Sequence, residues 1–192
     1  MKEILIVCGI IIVAFILVLV FNAIKSKVKA PKLSQRPQHK TEKEQEEYAL
    51  KLAEMIKCET VSVDGSFDDT EFKKLRKVME ELFPLIHKNT EKMIFSDDCW
   101  VYKLKGKDES RNIMIMSHHD VVEATGEWLH PGFCGEIFDG NLWGRGTIDT
   151  KTPLFAEFSA LEELLEEGFI PECNVYIASS HNEEIGGDGI PE

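Results

Sequence analysis

The sequence predicts an α/β fold: a layered, partly parallel sheet flanked by helices, incomplete at the C-terminus and preceded by an N-terminal transmembrane helix. Three observations predict this class. Segments with apolar residues at helical spacing alternate with short apolar segments typical of strands. Some of the short segments are continuously apolar, as in strands buried on both faces. An uncharged apolar run also extends from Ile4 to Phe21.

Length and composition limit the classes of protein to consider. The chain has 192 residues with 43% hydrophobic content, enough for one compact core. Its net charge is -12, and its lysines and arginines form no basic stripe along the sequence. Both observations argue against nucleic-acid binding, which needs clustered basic residues. Its five cysteines stand singly, so they predict neither a disulfide framework nor a structural zinc knuckle, and they fit a reducing compartment.

Residues 1–24 are predicted to be a transmembrane anchor that contacts the membrane through residues 4–24. A spanning helix needs about 20 apolar residues, whereas a cleavable signal peptide has an apolar region of about 7–15. Lysines at positions 25, 27, 29 and 32 and Arg36 follow the run, so the positive-inside rule predicts a single-pass protein whose folded domain faces the cytoplasm. A domain on the outer face is the alternative orientation.

Residues 25–43 are predicted to be a flexible tether, because they are polar, contain two prolines and have few large apolar groups. The folded domain is predicted over residues 44–192. Thr41 with Glu44 three residues later is a capping-box signature for a first helix that ends near Cys58.

The remaining elements follow from periodicity and turn signals. A second helix is predicted before Pro84, from apolar residues at helical spacing between Phe72 and Phe83. A third runs from Leu154 to Glu167, with Leu161, Leu164 and Leu165 inward and Gly168 closing it. Strands are predicted at residues 100–104, 113–116 and 174–178, the last two as buried strands.

Polar segments come directly after two of these strands and before the third helix. His118 and Asp120 follow residues 113–116, and Glu183 with Glu184 follows residues 174–178. Asp149 lies between a glycine-containing turn and the helix. Ligand-bearing residues in open α/β sheets gather at the carboxyl ends of strands, and a carboxylate commonly orients a metal-binding imidazole. Taken singly, a histidine near a strand end is commonly packed or at the surface, and carboxylates on a turn are commonly just solvated. The three segments together predict a two-metal hydrolase site.

A longer stretch carries a resemblance to a known family. It includes Pro131-Gly132-Phe133, the Asp139-Gly140 turn, Leu142 through Gly146 and Asp149-x-Lys151. From about Glu44 onward, the chain resembles the amino-terminal part of the dinuclear zinc metallopeptidase family. This family contains carboxypeptidase S, aminoacylases, acetylornithine deacetylase and succinyl-diaminopimelate desuccinylase. The resemblance implies zinc-dependent hydrolysis of an amide or peptide bond in a peptide or N-acyl amino acid, of carboxypeptidase or N-acyl-amino-acid hydrolase type.

The resemblance also assigns roles by position. His118 would bind one zinc ion, Glu184 the other, and Asp149 would bridge both, while Asp120 orients His118. Glu183 would be the general base that takes a proton from a water acidified by the two ions. Cobalt or manganese would also suit these ligand types. A cis peptide is implied at Asp149-Thr150, where the family more often has Asp or Asn at the second position. Packing or supporting roles are predicted for three further histidines: His119, His130 and His181.

Two further family ligands, an acidic residue and a final histidine, are not among the 192 residues. Each zinc ion would then have two protein ligands, counting the bridge twice, where catalytic zinc usually has three. We therefore expect this chain to bind zinc weakly and to have weak or absent turnover. A homodimer is expected to be possible only in a full-length parent. The alternative hypothesis is a catalytically silent, membrane-anchored fragment or pseudoenzyme that acts through partner binding. Carboxypeptidase, dipeptidase and deacylase activities are left open.

Overall fold

The structure is a computed structural model that describes residues 2–25 and 40–187. The chain divides into two units, Met1–His39 and Lys40–Glu192. The first unit contains helix α1, Lys2–Lys25. Most of the predicted tether over residues 25–43 lies outside the described residues. Its last two residues, Glu42 and Lys43, belong to the next helix.

The prediction of a transmembrane anchor is wrong. A helix that crosses a membrane needs about 20 consecutive apolar residues. Within residues 2–25 and 40–187, no helix is both long enough and apolar enough to do so. This finding contradicts three linked predictions: the anchor over residues 1–24, membrane contact through residues 4–24, and a single-pass membrane localisation.

The second unit contains four helices and six strands among its described residues. The helices are α2 (Glu42–Ile56), α3 (Thr70–Leu82), α4 (Pro84–Asn89) and α5 (Lys151–Glu166). The strands are β1 (Glu91–Phe95), β2 (Cys99–Leu104), β3 (Asp108–His118), β4 (Glu136–Phe138), β5 (Asn141–Trp143) and β6 (Cys173–Ser180). Helices and strands both contribute to this unit, and α5 lies between strands β3–β5 and strand β6 along the chain, so the α/β part of the predicted fold class is confirmed.

Four strands form one sheet in the order β1-β2-β6-β3. The β1–β2 and β2–β6 pairs are antiparallel, whereas β3 runs parallel to β6 and is joined to it through α5. Strands β4 and β5 form a separate antiparallel hairpin. The sheet is therefore partly parallel, as predicted, and its parallel pair carries two of the polar segments at neighbouring strand ends.

Helix α2 begins as its sequence predicts. The Thr41 hydroxyl accepts a hydrogen bond from the backbone N–H of Glu44, and the Glu44 carboxylate accepts one from the backbone N–H of Thr41. This capping box satisfies two backbone donors that a helix start leaves without partners. The helix ends at Ile56, close to the predicted end, and directs Met55 and Ile56 into the core.

The core lies between the helices and one face of the sheet. Trp100 and Tyr102 of β2 and Ile177 of β6 are fully buried there, beneath α3 and α5. Helix α4 is tied to α5 by a buried carboxylate, because Glu162 accepts hydrogen bonds from the backbone N–H groups of Leu85 and Ile86 at 2.8 and 2.9 Å. The Glu162 carboxylate thus provides acceptors for two backbone N–H groups that have no partner within the helix, because they lie in the first turn of α4.

Two burial predictions fail. The apolar residues of β3, Ile113 through Met116, are 43–56% exposed, although the run was expected to be buried on both faces. Strand β3 is the edge of the sheet among the described residues, so it lacks a neighbour on one side. In α5, Leu161 is buried and Leu165 packs against the core, but Leu164 is exposed because it lies on the outer side of the helix.

Candidate metal centre

The parallel pairing of β3 and β6 creates the candidate site. His118 is paired with Ser180 at the last position of the ladder, so the segments that follow both strands leave the sheet at the same edge. The predicted segments after His118 and after Ser180 therefore meet. Segment 144–149 reaches the same edge because Asp149 lies two residues before the start of α5, which packs against β3.

The imidazole of His118 is held with one nitrogen facing the cluster of carboxylates. Its Nδ1 lies 3.1 Å from the backbone carbonyl oxygen of Asp120 and 3.3 Å from the carboxylate Oδ1 of the same residue. A carbonyl oxygen can only accept, so Nδ1 carries a hydrogen. In the neutral ring, Nε2 is then the lone-pair nitrogen that can bind a metal ion. In the protonated ring, Nε2 donates to Oδ1 of Asp149, which lies 3.0 Å away.

Asp120 is fully buried and links His118 to the loop after β6. Its two carboxylate oxygens accept hydrogen bonds from the backbone N–H groups of Glu183 and Glu184, at 3.2 and 3.1 Å. Burial opposes ionisation, but hydrogen bonds from His118, from these two amides and from Ser62 outweigh it and lower the pKa of Asp120. An ionised Asp120 thus fixes the imidazole and the loop together.

His118, Asp149 and Glu184 form a group that could hold a metal ion. Each offers one ligand atom, and these atoms lie within 4.8 Å of one another. The donors are one imidazole and two carboxylates without a thiolate, a set that suits a hydrolytic zinc ion. The 3.0 Å separation between His118 and Asp149 also compares well with roughly 3.4 Å for two ligands of one tetrahedral zinc ion. The residues present therefore fit the metal that the sequence predicted.

Glu183 lies beside this group. Its Oε2 is 3.6 Å from Nε2 of His118, and its side chain is 59% exposed. It lies in a short 3-10 turn, Glu183–Ile185, that ends at Gly186 in the left-handed region with φ 66°. All five predicted site residues (His118, Asp120, Asp149, Glu183 and Glu184) are thus brought together at one edge of the sheet. Their individual roles stay predictions.

The pKa values of His118 and Glu184 are both raised in the site. Burial disfavours the charged imidazolium of His118, but its contacts with Asp120 and Asp149 outweigh this and raise its pKa to about 9. Burial, followed by the negative charge of Asp149, raises the pKa of Glu184. Asp149 contributes to both shifts, and a bound cation would offset its negative charge.

Thr150 connects the Asp149 segment to the end of β3. Its hydroxyl accepts a hydrogen bond from the backbone N–H of His118 at 3.2 Å and donates one to the His118 carbonyl oxygen at 2.7 Å. The peptide bond between Asp149 and Thr150 is cis, as the resemblance implied. Threonine therefore provides direct backbone contacts at the position where the family more often has Asp or Asn.

Sequence reasoning missed the contribution of Lys151. Its side chain is completely buried, and its ammonium group donates hydrogen bonds to the carbonyl oxygens of Met55 and Cys58, at 3.1 and 2.6 Å. Burial lowers the pKa of Lys151 to about 8. The lysine joins the end of α2 to the start of α5, two residues after Asp149, so it supports the segment that carries this ligand.

The three other histidines have structural surroundings of their own. His119 is fully buried, stacks on Trp100 with ring centroids 3.9 Å apart, and places Nδ1 2.8 Å from the Ser179 hydroxyl. His181 is buried, with Nδ1 3.1 Å from the thiol of Cys99. His130 contacts Glu136 near the β4–β5 hairpin. None of the three belongs to the group of ligand atoms found among the described residues.

The part of the chain that carries these residues is similar to known proteins. A family model described as peptidase family M20/M25/M40 matches residues 114–192, which include all five site residues. The chain is 36% identical over 188 residues to probable carboxypeptidase S-like 2 of Dictyostelium discoideum, covering 92% of this chain and 36% of that protein. It is 33% identical over 145 residues to the human N-fatty-acyl-amino acid synthase/hydrolase PM20D1, covering 73% of this chain and 29% of that protein. The chain thus spans about a third of the length of these relatives.

Solved structures show a similar fold. Human carnosine dipeptidase 1 superimposes with a TM-score of 0.63 at 20% sequence identity, over 76% of this chain and 34% of that one. The dipeptidase Dug1p from Saccharomyces cerevisiae gives a TM-score of 0.54 at 17% identity, over 72% of this chain and 32% of that one. At these identities the likeness concerns the fold alone.

Proposed function

The chain belongs to peptidase family M20/M25/M40, and from this premise we propose that it contributes to metal-dependent hydrolysis of a peptide or amide bond. The proposed substrate is a peptide or an N-acyl amino acid, cleaved in the manner of a carboxypeptidase or an N-acyl-amino-acid hydrolase. The observation that carries the proposal is the convergence of His118, Asp149 and Glu184 at the carboxyl end of the parallel strand pair. Because the chain spans about a third of its relatives, the activity of the whole protein is part of the proposal.

The proposed metal is zinc, with two ions in the complete protein. His118 would hold one ion, Glu184 the other, and Asp149 would bridge them. When bound, zinc supplies Lewis-acid polarisation of the substrate carbonyl and lowers the pKa of water. The three side chains leave room for further ligands, so we expect weak zinc binding by the 192 residues alone.

The chain's own residues have distinct tasks in this proposal. Glu183 accepts the proton of the attacking water, because its carboxylate is exposed and lies beside the ligand group. Asp120 keeps the hydrogen on Nδ1 of His118, so that Nε2 faces the metal. Asp120 also holds the loop that carries Glu183 and Glu184 through their backbone amides.

Amine release from N-acetyl amino acids and dipeptides tests the proposal. The 192-residue chain is dialysed against a chelator and assayed before and after zinc is restored, with Glu183→Gln and Glu81→Gln in parallel. We expect low turnover that depends on zinc, its loss in Glu183→Gln despite retained zinc binding, and no change in Glu81→Gln, because Glu81 lies on α3 away from the site. Turnover that survives metal removal, or zinc binding without any turnover, would contradict the proposed activity.

A further inference from the structure

The connection that follows α2 contacts all three segments that carry the candidate metal ligands. This connection, residues 58–62, contains none of the five predicted site residues. Its residues at alternate positions, Cys58, Thr60 and Ser62, each bond to a different ligand segment. Their partners lie between 59 and 119 positions away along the chain, so no local pattern in the sequence indicates these contacts.

Cys58 joins the 58–62 connection to the segment of Asp149. Its carbonyl oxygen accepts a hydrogen bond at 2.6 Å from the ammonium group of Lys151, two residues after Asp149. Cys58 and Lys151 are both completely buried, so either group, left unpaired, would have no water to bind. The bond therefore holds the connection against the start of α5.

Thr60 joins the connection to the end of β3. Its hydroxyl donates to the carbonyl oxygen of His119 at 2.5 Å, and its own carbonyl oxygen accepts from the backbone N–H of Val121 at 2.9 Å. Thr60, His119 and Val121 are all fully buried. The two bonds lie on either side of Asp120 in the chain, and Asp120 is the residue that orients the imidazole of His118.

Ser62 joins the connection to the end of β6. Its hydroxyl donates to the carbonyl oxygen of His181, two residues before Glu183. Burial raises the pKa of Asp120, and a bond with the same hydroxyl is among those that outweigh this effect and lower it. Ser62 therefore contacts the chain after β3 and the chain after β6.

A metal centre assembled from separate parts of a chain needs an element that sets their relative positions. His118 ends one strand, Glu184 follows another, and Asp149 precedes a helix. Ligands must be held within about 0.5 Å of the productive geometry, which takes hydrogen bonds from residues outside the ligand group. The 58–62 connection supplies bonds to all three segments from one short stretch of chain.

We propose that the 58–62 connection sets the relative positions of the three ligand segments, and that Ser62 is the positioning residue for the loop that carries Glu183 and Glu184. The inference rests on the proposed function and deepens it by naming the part of the chain, outside the ligand group, that controls the geometry of the site. Ser62 acts on the position of the two acids through the backbone of His181, not on their chemistry.

Amide hydrogen exchange of the metal-free 192-residue chain measures this positioning. The backbone N–H groups of Glu183 and Glu184 donate to Asp120, so their exchange rates report how often the loop opens. We expect both amides to exchange about fivefold faster in Ser62→Ala, because the loop loses one hydrogen bond. The amide of Ile177, which lies in β6 between β2 and β3, should keep its wild-type rate.

Three further variants complete the exchange experiment. Ser62→Thr keeps the hydroxyl and should restore the wild-type rates, whereas Ser66→Ala removes an exposed hydroxyl from the same part of the chain and should change neither amide. Thr60→Val keeps the shape of the side chain but cannot donate to the carbonyl oxygen of His119. It should also accelerate the exchange of the two loop amides, because Asp120, their acceptor, is then held less firmly.

Zinc titration of the same proteins separates this inference from the proposed function. We expect Ser62→Ala to bind zinc about tenfold more weakly than the wild type, since residues that support metal ligands commonly contribute that much. Ser62→Thr and Ser66→Ala should bind zinc as the wild type does.

The outcomes distinguish the two proposals. Unchanged exchange of the Glu183 and Glu184 amides in Ser62→Ala would overturn the positioning role, and normal zinc binding would then leave the proposed function standing. Equal acceleration at Ile177 would also overturn it, because the whole sheet would then be destabilised. Faster exchange confined to the loop, with no zinc binding by any of the proteins, would support the positioning of the loop and remove the proposed metal-dependent function.

Discussion

The two sides of the candidate metal centre are held in different ways. On one side, Asp120 is completely buried and connects the His118 ring to two backbone amides. On the other side, the side chains of Asp149 and Glu183 are 69% and 59% exposed. The first side is built by hydrogen bonds within the fold, whereas the second presents carboxylates to solvent and to one another.

This difference shows which part of the site depends on folding and which on a bound cation. A buried carboxylate without partners would destabilise the protein, so Asp120 and its donors must form as the chain folds. Exposed carboxylates cost little in stability, and a bound cation would offset the repulsion between their negative charges. Four substitutions, compared by the free energy of unfolding of the metal-free chain in denaturant, test this contrast.

Asp120→Ala should have the largest effect. It leaves the backbone N–H groups of Glu183 and Glu184 without acceptors and removes the carboxylate beside His118 Nδ1, which keeps only the backbone carbonyl oxygen at position 120. We expect the free energy of unfolding to fall by about 3 kcal/mol, because removing one member of a buried charged pair leaves the others uncompensated. A loss below about 0.5 kcal/mol, as for an ordinary surface change, would show that the buried side is not built by this carboxylate.

Lys151→Met should be the next most damaging change. The methionine fills much of the same space but cannot donate to the carbonyl oxygens of Met55 and Cys58. We expect a loss of about 2 kcal/mol in the free energy of unfolding. Lys74→Met is the matched control, because Lys74 donates to the neighbouring carbonyl of Lys57 at 2.9 Å from an exposed position and should change stability little. Equal losses in both variants would contradict the special role of the buried lysine.

Glu157→Gln should have a small effect that depends on pH. Burial raises the pKa of Glu157 above its ordinary value of 4.5, against a hydrogen bond from the Ser117 hydroxyl. The folded state therefore binds this proton more tightly than the unfolded state, and its stabilising contribution is lost as pH rises from 4.5 through the folded pKa. Unfolding curves at several pH values should show the wild type losing stability relative to Glu157→Gln over that range. If the free energies of unfolding of the two proteins change in parallel with pH, the raised pKa of Glu157 is contradicted.

Asp149→Asn should have the smallest effect on the metal-free chain. Its side chain is mostly exposed, and the change removes one of several neighbouring negative charges. We expect the free energy of unfolding to stay within about 0.5 kcal/mol of the wild type. A loss as large as that of Asp120→Ala would mean that the two sides of the site do not differ as described.

The sequence predicted the elements whose signals are local. The capping box of Thr41 and Glu44, the position of α3 before Pro84 and the left-handed Gly168 after α5 each depend on neighbours within a few residues. The convergence of the site residues was also predictable, because strand ends that carry polar residues meet at one edge when the strands are parallel.

Features that depend on distant neighbours were missed or wrong. The apolar composition of residues 113–116 indicated a strand, but its burial depends on what lies beside the edge of the sheet. Lys151 gives no local sign that it contacts carbonyl groups more than 90 positions earlier in the chain. The transmembrane prediction used the hydropathy of the sequence. Within residues 2–25 and 40–187, the structure has no helix that is both long enough and apolar enough to cross a membrane.

A calorimetric titration of the 192-residue chain with zinc tests the central claim most directly. Wild type, Asp149→Asn and Asp64→Asn are compared, the last being an exposed aspartate outside the ligand group. We expect weak but saturable zinc binding by the wild type and unchanged binding by Asp64→Asn. In Asp149→Asn the zinc affinity should fall by about 100-fold or more without a loss of folding. Equal zinc affinity in all three proteins, or no binding to the wild type, would contradict a metal centre formed by His118, Asp149 and Glu184.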